Sequence, residues 1–109
     1  MNEMELVSLS EEIRDSELSI LERKESYLRS ELAFEIAISA YITQLELDYP
    51  DLCVRGMELS TVEKRRFKAE SDPVFVTQKR ELESYKRDTQ MMEILLDHKK
   101  RVFSIYRKV

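Results

Sequence analysis

Apolar residues recur along this chain at intervals of seven. Leu6, Ile13, Ile20, Tyr27, Phe34 and Tyr41 form one such series, and a residue repeated every seven positions stays on one face of an α-helix. Leu18, Leu21, Leu28 and Leu32 lie on an adjacent stripe. From Tyr27 onward the pattern thickens: Leu32, Phe34, Ile36, Ala37, Ile38, Ala40, Tyr41, Ile42 and Leu45 leave hardly any polar face. A helix that is apolar nearly all round has to be covered on more than one side, which a single partner helix cannot do. The stretch bearing Tyr27, Phe34, Ile38, Tyr41, Ile42 and Leu45 is therefore the expected interface between copies of the chain. A second stripe comes later, with Phe75, Leu82, Tyr85, Thr89, Met92, Leu96, Phe103 and Tyr106 at steps of three and four. Gln78 and Lys99 interrupt it, and Met91, Leu95, His98 and Val102 widen it. That width suits a bundle better than a two-stranded coil.

The residues between these stripes place the helix ends. The first long helix is expected over about 9–47, opening near Ser8 or Ser10, where Ser8 and Glu11 have capping-box spacing. It ends before Tyr49-Pro50. A corner over about 48–72 holds Pro50, Cys53 and the single glycine, Gly56. Within it Ser60-Thr61-Val62-Glu63 reads as a second capping box and opens a short helix from Thr61 to about Glu70. Asp72-Pro73 is an N-cap followed by proline at the first helical position, where no amide donor is needed. The last helix follows over about 73–107. The long helices would measure about 57 and 53 Å at 1.5 Å per residue. Matched lengths around a short corner predict an all-α fold, an antiparallel hairpin of long helices with a short helix at the corner, forming one helical domain over 1–109. A hairpin of this kind leaves half its apolar surface wet, so assembly into an oligomeric bundle or ring is expected.

Composition agrees with helices. One glycine and two prolines are too few for the turns of a multi-stranded sheet, and 37% charged residues mark exposed helical faces. No run of about 18 apolar residues predicts a membrane span, and no signal-peptide layout opens the chain, so a cytoplasmic protein is expected. A lone Cys53 excludes an internal disulfide and fits a reducing compartment. The catalytic inventory is thin. His98 reads as a boundary residue of the wide stripe and Cys53 as a small hydrophobe. Glu31 and Glu35 lie one turn apart with no histidine to complete a di-metal pattern, and no glycine-rich loop cradles a phosphate. The expectation is a non-enzyme with no cofactor, no metal and no small-molecule substrate.

Charge adds one constellation. The net value is −4, but residues 1–54 hold 4 Lys and Arg against 13 Asp and Glu, while residues 55–109 hold 14 against 9, so the halves stand at −9 and +5. The opposite charges can pair one arm with the other. Alternatively, Lys64, Arg65, Arg66 and Lys68, followed by Lys79 and Arg80 and then Lys86 and Arg87, form a basic surface for phosphates or an acidic peptide. Tyr49 and Phe67 would then offer stacking faces to unpaired bases, or else Phe67 anchors the short helix in a core.

Several of these segments together resemble a known family. Leu47-Asp48-Tyr49 closes the first long helix, Thr61-Val62-Glu63-Lys64-Arg65 and Ala69-Glu70-Ser71-Asp72 make the corner, and Ile94-Leu95-Leu96-Asp97 sits in the last helix. Over roughly residues 41–109 this arrangement resembles the small helical recombination accessory proteins of phages, in particular the UvsY-like recombination mediators. The resemblance implies a homo-oligomer that binds single-stranded DNA and helps load a recombinase against a single-strand binding protein, in the host cytoplasm. Where that family carries lysine and arginine ahead of Leu-Asp-Tyr, this chain has Thr43-Gln44-Leu45-Glu46-Leu47. The DNA contact would then move to Lys64, Arg65, Arg66 and Lys68. The other reading is a helical adaptor, or an inhibitor of a host protein, that binds protein through the apolar 27–45 face and touches no DNA.

Overall fold

The computed structural model describes the chain apart from Leu52, Arg55, Gly56, Ser60 and Val109, and apart from the side chains of Cys53, Val54 and Met57. Helices carry nearly all of it: α1 over Glu3–Asp48, α2 over Val62–Glu70 and α3 over Pro73–Arg107. This is the long helix pair with a short helix that the periodicity predicts. The corner adds a two-residue antiparallel ladder, β1 over Cys53–Val54 and β2 over Met57–Glu58, with Cys53 opposite Glu58 and Val54 opposite Met57. The all-α expectation holds, with this small ladder as an addition within the corner. Among the described residues no helix is long and apolar enough to cross a membrane.

Two helix starts differ from expectation, for a local chemical reason. α1 begins one and a half turns before Ser8, because Asn2 caps it: the Asn2 Oδ1 accepts from the Glu5 amide at 2.8 Å and the Asn2 amide donates to the Glu5 carboxylate at 3.3 Å. For α2 the cap is Thr61, whose extended backbone (φ −106°, ψ 155°) lets its hydroxyl accept from the Lys64 amide at 3.2 Å. Ser60, expected in that role, lies outside the described residues. The third start is as expected, with the Asp72 carboxylate accepting from the Val74 amide at 3.0 Å ahead of Pro73.

Contacts group the chain into two compact units, residues 1–28 with 84–109, and residues 29–83. In the first, the opening part of α1 runs antiparallel to the closing part of α3. Ile20, Thr89 and Leu96 are buried there, and Leu6, Ile13 and Tyr27 are half-buried on the same seven-residue seam. Salt bridges Lys24–Glu93 at 2.9 Å and Glu17–Lys100 at 3.0 Å flank the seam. Pairs this exposed contribute at most about 1 kcal/mol each, so apolar burial holds the helices and the charges help set their direction.

In the second unit α1 lies against α2 and the start of α3. Phe34, Ile38, Ala69 and Phe75 form the core, with Ala37, Tyr41, Ile42 and Leu82 packed around them. Phe75 meets Phe34 and Tyr41 edge-on, at centroid distances of 5.9 and 5.6 Å. Ala69 is fully buried, and its single methyl lets α2 approach closely. Leu45 and Leu59 make a second cluster beside Tyr41. Thus the residues expected to meet another copy, Phe34, Ile38, Tyr41, Ile42 and Leu45, are largely covered by their own chain. The segment does need cover on two sides; α2 and the start of α3 supply it.

Replacing Ile38, which is 1% exposed, by alanine should destabilise the chain by about 2–5 kcal/mol. Thr61→Ala should cost about 1 kcal/mol through loss of the α2 cap. Urea unfolding followed by circular dichroism checks both.

Candidate nucleic-acid interface

Helix α2 has eight polar or exposed positions around one buried alanine, so its side chains divide sharply by direction. Arg65 and Arg66 turn toward α1 and Lys64 and Phe67 turn to water. Arg65 places one guanidinium nitrogen 2.6 Å from the Glu46 carboxylate and donates from Nε to the Leu59 carbonyl at 3.0 Å. Arg66 grips the Glu35 carboxylate with both terminal nitrogens at 2.8 and 2.7 Å, while its Nε donates to Glu70 at 2.8 Å. Lys79 approaches the other Glu70 oxygen at 3.6 Å. Bidentate Arg–carboxylate geometry is directional as well as attractive, and it clasps α2 to α1.

The clasp shifts both partners. Hydrogen bonds from Arg66, reinforced by its charge and that of Lys79, hold the Glu35 carboxyl below its ordinary value of 4.5 against the opposing effect of partial burial. The Glu35 hydrogen bond, together with the charges of Glu35 and Glu70, raises Arg66 further above neutrality. Nearby, burial and the charge of Asp72 push the Tyr41 hydroxyl above its ordinary 10.0.

Of the six basic residues expected to contact nucleic acid, three are therefore engaged with carboxylates of the same chain: Arg65, Arg66 and, more loosely, Lys79. Lys64, Lys68 and Arg80 make no ion pair among the described residues. Phe67 is 70% exposed, so it is a surface aromatic and not the core anchor of α2; Ala69, the buried residue of that helix, fills that role. A shallow groove of about 290 Å³ runs beside the ring, with Ser71 and Val76 in its wall, Lys79 and Arg80 on one side and the acids Glu70 and Glu83 beside them. Tyr49, the other expected stacking face, is 39% exposed. Lysines next to an exposed ring can attract phosphate while the ring offers a face to a base; the acids in the groove limit how much negative charge it tolerates.

The first unit holds a polar layer that periodicity does not disclose. Tyr27 stacks on Tyr85 at a centroid distance of 6.5 Å, and the Arg23 guanidinium sits 4.1 Å above the Tyr85 ring. Arg23 donates to the Thr89 hydroxyl at 3.2 Å, which donates in turn to the Tyr85 carbonyl at 2.9 Å. Tyr27, another residue expected at an interface between copies, thus has an aromatic neighbour within its own chain. His98 lies exposed on α3, and the Cys53 side chain is outside the described residues. Among the described residues no group of three His, Cys, Asp or Glu side chains gathers as a metal site. Comparison with family models, with curated proteins and with solved structures finds no match.

The Glu35 clasp has a defined pH signature. A carboxyl whose folded pKa is depressed contributes stability above its unfolded value, near 4.5, and that contribution disappears as pH falls through the lower folded value. Urea midpoints measured between about pH 7 and 2.5 should therefore drop at the acid end for the native chain. Glu35→Gln should start lower at neutral pH and show a flatter acid slope; equal slopes would deny the clasp a role in stability.

Proposed function

We propose that this protein is a non-enzymatic, self-associating helical accessory factor that acts on single-stranded DNA in phage recombination or replication. The observation that carries the reading is Phe67, a large aromatic left 70% exposed with Lys64 one turn before it and Lys68 beside it. Lysine heads take up phosphates, and the ring stacks an unpaired base regardless of its identity. Lys79 and Arg80 extend the basic edge along α3. Arg65 and Arg66 are assigned a structural part, since moving them to phosphate would strand Glu46 and Glu35 without their partners.

A single site with three or four phosphate contacts binds weakly at physiological salt. An assembly that repeats the site along one strand raises the effective affinity without any new contact. In that arrangement the protein would organise the strand, and a single-strand binding protein or recombinase would be its protein partner. This follows the family resemblance of residues 41–109 and the exposed aromatic together.

A helical adaptor or inhibitor that binds a host protein and no DNA is the second reading. Leu32 and Ile36 favour it, because both remain more than 60% exposed on α1 in the second unit. Fluorescence anisotropy with labelled single-stranded oligonucleotides separates the two. The DNA reading expects binding at about 50 mM salt that weakens steeply as salt rises. Phe67→Ala should lower affinity by about 5- to 100-fold, the usual value of one stacked base. Lys64→Glu with Arg80→Glu should flatten the salt slope while leaving the helical spectrum unchanged. A flat titration at low salt with a properly folded chain would discard the DNA reading in favour of the adaptor.

A further inference from the structure

The back of α1 in the first unit carries an apolar surface that the chain does not use. Val7, Leu18, Leu21 and Leu28 are 55%, 54%, 57% and 63% exposed, and Met4 more so. These residues are not scattered. Met4, Val7, Glu11, Arg14, Leu18, Leu21, Glu25 and Leu28 follow one another in strictly alternating steps of three and four, the spacing of a coiled-coil seam. At 3.6 residues per turn this series lies about 130° around the helix from the seam that Leu6, Ile13 and Ile20 bury against α3. One helix therefore presents two seams, and only one is covered within the chain.

We propose that the second seam is a dimer interface whose occupant is the same seam of a second copy, running antiparallel, with Leu18 against Leu21 and Arg14 against Glu25 of the partner. The charges select this arrangement. In a parallel pair Glu11, Arg14 and Glu25 would each face their own counterpart, placing like charges together at three layers. In the antiparallel pair each Arg14 meets a partner glutamate, and the two-fold axis passes between Leu18 and Leu21, so four leucines form the centre and the two ion pairs close it. An alternative antiparallel register, with Arg14 opposite Glu11, leaves Leu28 in water; the proposed one brings Leu28 against the aliphatic stem of Glu11. From residue 7 to residue 28 the seam is about 32 Å long, comparable in reach to a small coiled coil. The inference rests on the self-association in the function proposed above but not on its DNA contact, since none of its residues belongs to the Phe67 face.

Light scattering and sedimentation equilibrium on the full chain test it, with circular dichroism to verify folding at these exposed positions. The native chain should form a dimer, or a multiple of one, at micromolar concentration. Leu18→Ser with Leu21→Ser should abolish that association with helicity retained. Arg14→Glu alone and Glu25→Arg alone should each weaken the dimer by about tenfold, by turning two attractive contacts into repulsive ones. The two together should restore it. A monomeric native chain would overturn the proposal, as would native-like association of the double serine variant. Indifference to Glu25→Arg, or failure of the charge exchange to restore binding, would overturn the antiparallel register. A chain that dimerises as described yet ignores single-stranded DNA leaves this interface standing and removes the DNA function; a monomer that binds DNA removes this interface and the self-association while the DNA contact at Phe67 stands.

Discussion

α1 carries more apolar surface than one neighbour can cover, and where it finds its cover decides most of what the molecule is. In the first unit α3 takes the seam of Leu6, Ile13 and Ile20. In the second, α2 and the start of α3 close over Phe34 and Ile38 from two directions. Fully burying a side chain such as Ile38 or Leu59 contributes roughly 1.5–3 kcal/mol, a large fraction of the 5–15 kcal/mol of net stability that typical domains retain. The short helix is therefore a structural lid on α1: Ala69 keeps it close, and Thr61 and Ser71 finish its ends.

The opposite charges of the two halves serve that same packing, residue by residue. Glu35 and Glu46 on the acidic arm meet Arg66 and Arg65 on α2, so the planar guanidinium groups are matched to carboxylates. What remains toward solvent is mostly lysine, with Arg80 and an exposed ring. Lys79 excepted, which lies 3.6 Å from Glu70, the basic residues paired within the chain and those assigned to the proposed nucleic-acid face are different ones. Arginines orient α2, and the residual lysines around Phe67 form the only surface in the second unit where an exposed aromatic and unpaired cations coincide among the described residues.

Some of the corner was legible beforehand and some was not. Asp72-Pro73 and the length of α3 follow from capping chemistry and the proline's missing amide, which act within a few residues. Ser8 was a false start for α1 because Asn2-x-x-Glu5 supplies an earlier cap of the same kind, and a helix continues from its first good cap while its seam persists. The paired strands at 53–54 and 57–58 carry no periodic signal, being two residues each. Phe67 was ambiguous on its own helix: nine residues give α2 too few turns to say which face is inner, and only the position of Ala69 against α1 resolves it.

By itself the sequence determined the helices, their seams, the acid–base asymmetry and the fact that residues 27–45 need cover on two sides. These depend on spacing and on contacts three or four residues apart, which the order of residues specifies directly. Tertiary structure alone decided that the second cover comes from the same chain, that Arg65 and Arg66 are committed to Glu46 and Glu35, and that the Leu18–Leu21 seam stays open. Each of these joins residues far apart along the chain, where periodicity shows that a face is apolar but cannot say which other face will meet it.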